Sequence, residues 1–452
     1  MKNDSPKKRK TLPPLTMINP NAAGIDIGSA EIYVCVPADR DEDFVRRFES
    51  FTSDLNRIAD WLKVCFINTV AIESTSVYWI PLYEILIERG FDVRLINPRQ
   101  LKRPKKTDVS DCQWLQQMHS YGLFSSSFRP ADQYCVLRSI IRHRASLISC
   151  RSMHIQHMQK ALHQMNIQLD NVIADITGQT GMLIIRAIVS GNRDAATLAS
   201  FRNSRCKSSE ETIQKSLEGN YREEHLFALK QSLECFDFYT RQLMECDLEL
   251  EKKYIQMAAH APEQTLPQSF KKATRDKNGP EYDLQTYLFR SCGIDLTQVP
   301  AIGSLTAQTI LVELGDDLTN FPTVKHFVSW LSLCPNNRIS GGKVQSRHIR
   351  PVQNKVAQAL RMAASSLANA KSSWGNYYRK MRGIHGPAKA NVICAHKLAR
   401  VIYFMLTRKQ QFQHSLLEIQ LQKDRNRCIA SLMTKARRYG FLLVPTSPTS
   451  VS

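Results

Sequence analysis

From Ala22 to Phe128 the chain alternates short apolar strands with amphipathic helices, and this order limits the folds it can adopt. Three consecutive strands come first and are followed by helix, strand, helix, strand and helix. Such an order predicts a mixed sheet with helices packed on it. The predicted strands are 24–27, 31–36, 44–51, 68–72 and 93–96, and the predicted helices are 55–66, 79–89 and 108–119.

The rest of the chain has helical periodicity. Residues 133–167 predict one long helix, which either serves as a core strut or lays a basic face on a nucleic-acid backbone. Residues 289–411 predict further helices interrupted by glycines. The fold class is therefore multidomain, an α/β domain followed by all-α regions.

Residues 210–253 are acidic, with eleven Asp and Glu against six Lys and Arg. Apolar residues recur there at alternating steps of three and four, which favours a coiled-coil hairpin or a dimerising helix. Thr240 and Asp247 are the polar positions of this seam. Its ten positions are Leu226, Leu229, Leu233, Phe236, Thr240, Leu243, Asp247, Leu250, Tyr254 and Met257.

The whole chain has 452 residues and a net charge of +20, and a balance this basic indicates nucleic acid as the partner. No apolar run approaches the roughly 18–20 residues that cross a bilayer. None of the 12 cysteines has another within ten residues of it, which excludes CxxC zinc knuckles and gives no disulfide framework. We expect a soluble protein of a reducing compartment.

These patterns divide the chain into five predicted regions. The first contains the run Pro6-Lys7-Lys8-Arg9-Lys10, which resembles a nuclear localisation signal but is better explained as a phosphate-contacting arm. The regions are a disordered basic arm (1–20), a sheet domain with the long helix (21–168), a helical coiled-coil region (169–288), a second helical domain (289–412) and a basic tail (413–452).

Four carboxylates stand at positions suited to metal chemistry. Asp26 lies in the first strand, Glu73 ends a later apolar strand, and Asp108 and Asp111 are three apart at the start of a helix, on one face. Mg²⁺ prefers oxygen ligands. Each acid alone is explained as well by a turn or by the helix dipole, but the four together predict a Mg²⁺ site.

A cluster of five cations precedes the Asp pair. A charge run is often only a solvated surface, but beside a metal site it is suited to holding the phosphates of a nucleic acid. Its members are Arg99, Lys102, Arg103, Lys105 and Lys106.

Two glycine-containing segments in the second half are further candidates. The turn Pro300-Ala301-Ile302-Gly303 between helical segments predicts a helix-hairpin-helix that aims backbone N–H groups at a phosphate, although helix hairpins without a ligand use glycine in the same way. The loop Ser340-Gly341-Gly342-Lys343 places a serine on flexible backbone. Ser346 is a rival nucleophile by composition. The cations around this loop are Arg338, Lys343, Arg347 and Arg350.

These residues carry a resemblance to a family of bacterial insertion-sequence transposases. Asp26, Glu73, Asp108 and Asp111 resemble the RuvC-like DEDD site of insertion-sequence family one hundred and ten, and the chain is most similar to its eleven-eleven subgroup. The second half is similar to the C-terminal transposase domain of that family, from the Pro-Ala-Ile-Gly turn through the Ser-Gly-Gly-Lys loop. The family usually has Pro-Gly-Ile-Gly at this turn, and often Gly-Asn where this chain has Gln353-Asn354.

The resemblance implies a fold and a reaction. It implies a RuvC/RNase H-like first domain, a Mg²⁺ site at the four carboxylates, and Ser340 as a nucleophile that forms a 5′-phosphoserine link. It also implies donor and target DNA as substrates, a noncoding bridge RNA as guide, and a homo-oligomer that is a dimer, or a tetramer in the synaptic complex. Coiled-coil contacts between protomers and a bacterial cytoplasmic, nucleoid-associated location are implied as well.

Two other functions stay open. A RuvC-like nuclease that hydrolyses branched DNA with water needs the carboxylates but no serine. A non-catalytic nucleic-acid-binding protein needs only the basic segments.

Overall fold

The computed structural model describes residues 16–98, 107–259, 278–346, 348–351 and 354–444. The chain forms two compact units, Met1–Arg129 and Pro130–Ser452. The domain limits expected from the sequence stay a prediction.

The first unit is built on a five-stranded mixed sheet with the order β3-β2-β1-β4-β5. The first three strands pair antiparallel, and β4 and β5 run parallel to β1. The mixed sheet predicted from the sequence is therefore confirmed. The strands are β1 (Ala22–Ile27), β2 (Glu31–Cys35), β3 (Val45–Glu49), β4 (Thr69–Glu73) and β5 (Asp92–Ile96).

The two faces of this sheet carry different helices. One face holds the main hydrophobic core, to which β1 contributes Ala23, Ile25 and Ile27, together with side chains of α1 and α2. The alternate residues of β1 point to the other face, because side chains of a strand alternate. The helices are α1 (Thr52–Val64), α2 (Trp79–Glu88) and α3 (Asp108–Ser120), and α3 packs on the opposite face from α1 and α2.

The second unit begins with a long helical pair. Helix α4 (Asp132–Gln164) packs along α9 (Glu223–Ala259), and buried leucines of the predicted seam lie between them. Asp247 accepts hydrogen bonds from Nε and Nη2 of Arg144 at 2.5 and 3.0 Å. Asp247, one of the two polar seam positions, thus forms an ion pair with Arg144 between the two helices. Four short helices cover one end: α5 (Leu169–Val172), α6 (Gln179–Val189), α7 (Ala195–Ala199) and α8 (Glu210–Ser216).

The described residues after α9 form helices and one β-hairpin. The hairpin consists of β6 (Arg338–Ser340) and β7 (Lys343–Ser346), where the sequence suggested only a loop. The basic tail contains a long helix. The helices are α10 (Leu284–Cys292), α11 (Ser304–Leu314), α12 (Val324–Trp330), α13 (Lys355–Ser366), α14 (Ser373–His385), α15 (Pro387–Arg408) and α16 (His414–Arg438).

In the part of the chain that the structure describes, no helix has the length and apolar character needed to cross a membrane.

Candidate catalytic site

Asp26 and Glu73 lie side by side on neighbouring parallel strands. The register of β1 and β4 pairs Ile25 with Ile72, and each acid is the next residue of its strand. Ile25 and Ile72 both belong to the core under α1 and α2, so both acids point to the opposite face, where α3 packs. The structure therefore places two of the four predicted carboxylates on one face at one edge.

Gly24 allows α3 to approach this face closely. A Cβ atom built on Gly24 would lie 2.2 Å from the backbone N of Gln116 and 2.4 Å from the carbonyl oxygen of Cys112. No side chain can be accommodated at that distance, so the glycine brings the helix backbone against β1. Gly24 and Asp26 share this face because they are two residues apart.

The direction of α3 brings its first turn toward the carboxylates. Its last residue, Ser120, accepts hydrogen bonds from the backbone N–H groups of Ile18 and Asn19, which precede β1. The helix therefore runs opposite to β1, and its first residues lie toward the end of the strand that carries Asp26. Tyr33 of β2 is paired with Asp26. Its pKa is raised mainly by its hydrogen bond with Glu31 and, to a smaller extent, by the negative charge of Asp108.

The first turn of α3 is fixed by a capping box. The Thr107 side chain accepts from the N–H of Ser110, and the Ser110 side chain accepts from the N–H of Thr107. The two aspartates of this turn, Asp108 and Asp111, also interact favourably with the helix dipole. Since Thr107 already fills the cap position, neither aspartate is needed as the cap.

Glu73 is the most buried of the four carboxylates, with 8% of its surface exposed. Its Oε1 accepts a hydrogen bond from the Thr75 hydroxyl at 2.9 Å. An ionised carboxylate at this depth carries a desolvation cost that a cation would offset.

Two buried thiols lie next to Asp26. The pKa of Cys112 is raised, first by its hydrogen bond with Cys35, then by burial, and further by electrostatic interaction with Cys35 and Asp26. Both cysteines are at most 2% exposed. With its pKa raised, the Cys112 thiol stays neutral and adds no charge beside Asp26.

Four carboxylates supply hard oxygen ligands, which suit Mg²⁺. Within the described residues, however, no group of three or more His, Cys, Asp or Glu side chains is assembled as a ready ligand cluster. The four carboxylates are therefore suitable ligands for Mg²⁺. In the structure Asp26 and Glu73 share one face of the sheet, at the end of their strands, but the four do not form a closed ligand cluster.

Ser340 lies at the tip of the β6–β7 hairpin. Gly341 and Gly342 form its two-residue turn, with φ angles of +56° and +75°. Positive φ at both central residues defines a type I′ turn, the type that suits a tight hairpin. Ser340 and Lys343 close this turn as directly opposed residues.

The hairpin has a polar face and an apolar face. Ser340 and Lys343 share one face, and the next pair, Ile339 and Val344, points to the other. Ile339 is 63% exposed and Val344 40% exposed.

The other cations predicted around the serine lie near the base of the hairpin. Arg338 pairs with Ser346 across the strands, and Arg350 follows the bridge between Pro335 and Ile349. Both arginines are exposed.

The predicted helix-hairpin-helix turn precedes α11. Gly303 is the residue before the helix, and no side chain caps its first turn. Ala301 has φ +69°, a left-handed conformation that is costly for alanine. The preceding helical segment is a single 3₁₀ turn, Leu296–Gln298.

Six predicted nucleic-acid contacts lie outside the described residues. They are Arg99, Lys102, Arg103, Lys105, Lys106 and Arg347.

Sequence reasoning missed three residues that shape the carboxylate face. Gly24 sets the approach of α3, Thr107 caps it, and Tyr33 lies across from Asp26. A glycine inside a strand is a signal of close backbone approach, and a Thr before an acidic turn is a capping signal. The pairing of Tyr33 had no local signal.

Both halves of the chain match models of transposase families. Residues 23–167 match the DEDD transposase model of IS110, described as a transposase, and residues 295–379 match the model of the IS116/IS110/IS902 transposase family. The first match contains the carboxylate face, and the second contains the serine hairpin. The two matched regions thus place the chain among the transposase families of insertion sequences.

The chain belongs to the IS110 family of DEDD transposases. It is also similar to an uncharacterised 43.6 kDa protein of insertion element IS110 from Streptomyces coelicolor, with 33% identity over 88 residues. That similarity covers 19% of this chain and spans 22% of the length of the relative.

Proposed function

We propose that this protein is a DNA recombinase that moves its insertion sequence with Ser340 as the nucleophile. The observation that carries this proposal is the hairpin: a serine at an exposed Gly-Gly turn, directly opposite a lysine, inside a segment that matches a transposase family. An exposed tip can reach a phosphodiester that a buried serine could not.

The chemistry follows from the groups on this face. The Ser340 Oγ attacks the phosphorus, the bond from phosphorus to the 3′ oxygen breaks, and the DNA 5′ phosphate becomes bonded to serine. The serine proton leaves to a base, and the departing 3′ oxygen takes up a proton to become a hydroxyl. Lys343 is placed to offset the negative charge that develops on the phosphate oxygens.

Ser346 is less suited to this role. Its hydroxyl accepts a hydrogen bond from the backbone N–H of His348 at 3.3 Å, near the base of the hairpin. Ser340, by contrast, stands at the tip, where glycines on its C-terminal side leave room for a backbone phosphate.

The carboxylate face would hold Mg²⁺ in this proposal. The ligands are Asp26, Glu73, Asp108 and Asp111, and the bound ion supplies charge neutralisation at the phosphate. Gly24 and Thr107 position the helix that carries two of these ligands.

The proposed partners are donor DNA, target DNA and a bridge RNA that selects both sites. The net charge of +20 supports polyanionic partners. The RuvC-like character of the sheet, the helix-hairpin-helix at Gly303, the coiled coil and the homo-oligomer, dimer or tetramer, belong to the same proposal.

A covalent-trapping assay tests the nucleophile. The full chain is mixed with bridge RNA, matched DNA and Mg²⁺, denatured, and examined for a protein–DNA adduct. We expect an adduct from the parent chain and from Ser346→Ala, and none from Ser340→Ala. An adduct with Ser340→Ala would refute the assignment.

A metal-dependent nuclease is the second candidate, because all four carboxylates belong to the first unit. It predicts that Ser340→Ala cuts branched DNA normally while Asp26→Ala does not. A non-catalytic binding protein predicts no Mg²⁺ binding by calorimetry, or equal binding by the parent and the Asp108→Ala/Asp111→Ala variant.

A further inference from the structure

The second half of helix α16 and the segment that follows it are almost wholly exposed. From Arg425 to Val444 only Ala436 is even half-buried. In proteins, most of the stability of a helix comes from packing of its apolar side against another surface. The exposed part of α16, from Arg425 to Arg438, therefore lacks the packing that a partner surface would supply.

One side of this helix is apolar. Ile429, Leu432 and Met433 follow the i, i+3, i+4 pattern and are 40%, 52% and 37% exposed. The chain continues into an exposed apolar end, in which Phe441 is 71% exposed and Leu442 86%. A contiguous apolar patch of this kind marks an interaction surface.

The positive charge of residues 425–444 favours an acidic partner surface. Residues 425–444 contain five Lys and Arg and no Asp or Glu. Two such helices would repel each other, so self-pairing of α16 is disfavoured. The preferred surface combines exposed apolar side chains with acidic residues.

Helix α9 presents such a surface. Its inner side packs on α4, but on its outer side five large apolar residues are exposed by 47–62%. Within the helix, eight Asp and Glu stand against four Lys and Arg. The exposed apolar residues are Phe227, Phe238, Met244, Leu248 and Ile255.

We propose that α16 and residues 441–444 dock on the outer side of α9 in a second copy of this chain. Within one copy both surfaces are exposed, so each is available to a partner. Each copy has one α16 and one α9, so two copies can make the contact in both directions and form a closed pair with twofold symmetry. Apolar burial supplies the binding energy, and the basic and acidic helices set the pairing.

Cross-linking of the full chain tests this contact. Light- and heavy-nitrogen-labelled chains are mixed in equal amounts and treated with an amine-reactive cross-linker. The exposed Lys435 of α16 and the exposed Lys230 and Lys252 of α9 provide native sites. Linked peptides from α16 and α9 that combine one light and one heavy partner report contacts between copies.

Leu432→Glu and Leu248→Glu place a charge in the proposed contact from either side. We expect each to lower the yield of mixed α16–α9 links by about tenfold or more, a loss of about 1.4 kcal/mol or more in pairing. Both leucines are more than half exposed, so the chain should still fold. Thr434→Glu adds the same charge outside the apolar side of α16 and should leave the yield within about twofold.

Three results would overturn the proposal. Links only between peptides of the same label would show that α16 folds back within its own chain. Mixed links only between two α9 helices would give the surface another occupant. If no mixed α16–α9 links formed and Leu432→Glu lost nucleic-acid binding, the exposed side of α16 would bind nucleic acid and not a second copy.

Discussion

Ser340 and Lys343 face each other across a two-residue turn whose glycines both have positive φ. The pairing fixes the lysine on the same face as the hydroxyl, whatever direction the hairpin takes. The turn therefore places a hydroxyl and a cation together without any contribution from the core.

Lys343→Ala should slow formation of the DNA adduct by about a hundredfold or more, because the charge that develops on the phosphate loses the cation directly opposite Ser340. Lys343→Arg should retain part of the rate. The measurement is the rate of adduct formation under single-turnover conditions. Lys325→Ala, which removes an exposed lysine of α12, is the control and should react at the parent rate. Equal rates for Lys343→Ala and the parent would leave Lys343 without a role in the reaction.

Gly24→Ala should destabilise the first unit by about 1–3 kcal/mol, because the added methyl group meets the backbone of α3 and must displace it. The same displacement should reduce Mg²⁺-dependent activity. Thermal unfolding and DNA cleavage measure the two effects. Gly383→Ala in α14, where a Cβ meets nothing within 4 Å, is the matched control and should not destabilise the chain.

Ala301→Gly should stabilise the second unit by about 0.5–1 kcal/mol, because glycine adopts φ +69° without the cost that alanine bears. Ala307→Gly, in the buried part of α11, should act in the opposite direction. Urea unfolding compares the two variants with the parent. Destabilisation by Ala301→Gly would show that the Ala301 methyl group contributes packing that outweighs its backbone strain.

His119 should make the first unit less stable below neutral pH. The ring is 6% exposed, its Nε2 lies 2.9 Å from the Thr69 hydroxyl, and burial lowers its pKa below the ordinary 6.5. The unfolded chain therefore takes up a proton at a higher pH than the folded chain. The contribution of His119 to the stability of the first unit is complete above about pH 6.5, the pKa of an unperturbed histidine. This contribution is lost as the pH falls from there to the lower pKa of His119 in the folded chain.

Hydrogen exchange checks this pH dependence. Protection of β4 and α3, corrected for intrinsic exchange, should fall between pH 7.5 and pH 5.5 in the parent. The fall should be smaller in His119→Gln. His385→Gln, at an exposed position of α14, should keep the parent slope. If protection in His119→Gln fell with pH as steeply as in the parent, the pH dependence would come from other groups.

The strands and helices of the first unit could be predicted because their signals are local. Short apolar segments predicted the strands, alternation supported β3, and helical spacing predicted the helices. Each predicted element is present within a few residues. The shared face of Asp26 and Glu73 could not be read in the same way, because it depends on the register between two strands that are far apart in the chain.

For the serine segment, the sequence signal was local but the predicted structure was different from the observed one. Ser-Gly-Gly-Lys indicated a flexible loop, but a type I′ turn makes it a hairpin that pairs Ser340 with Lys343. The basic tail was predicted from its charge alone, and its amphipathic helix was not.

The sequence by itself determined the order of the elements, the four carboxylates, the serine and the family, because period, charge and motif are properties of neighbouring residues. Only the tertiary structure decided which acids share a face, how close α3 lies to β1 and which apolar surfaces stay exposed. These depend on strand register and on helix packing at Gly24 and along α9, where residues distant in the chain must fit against each other.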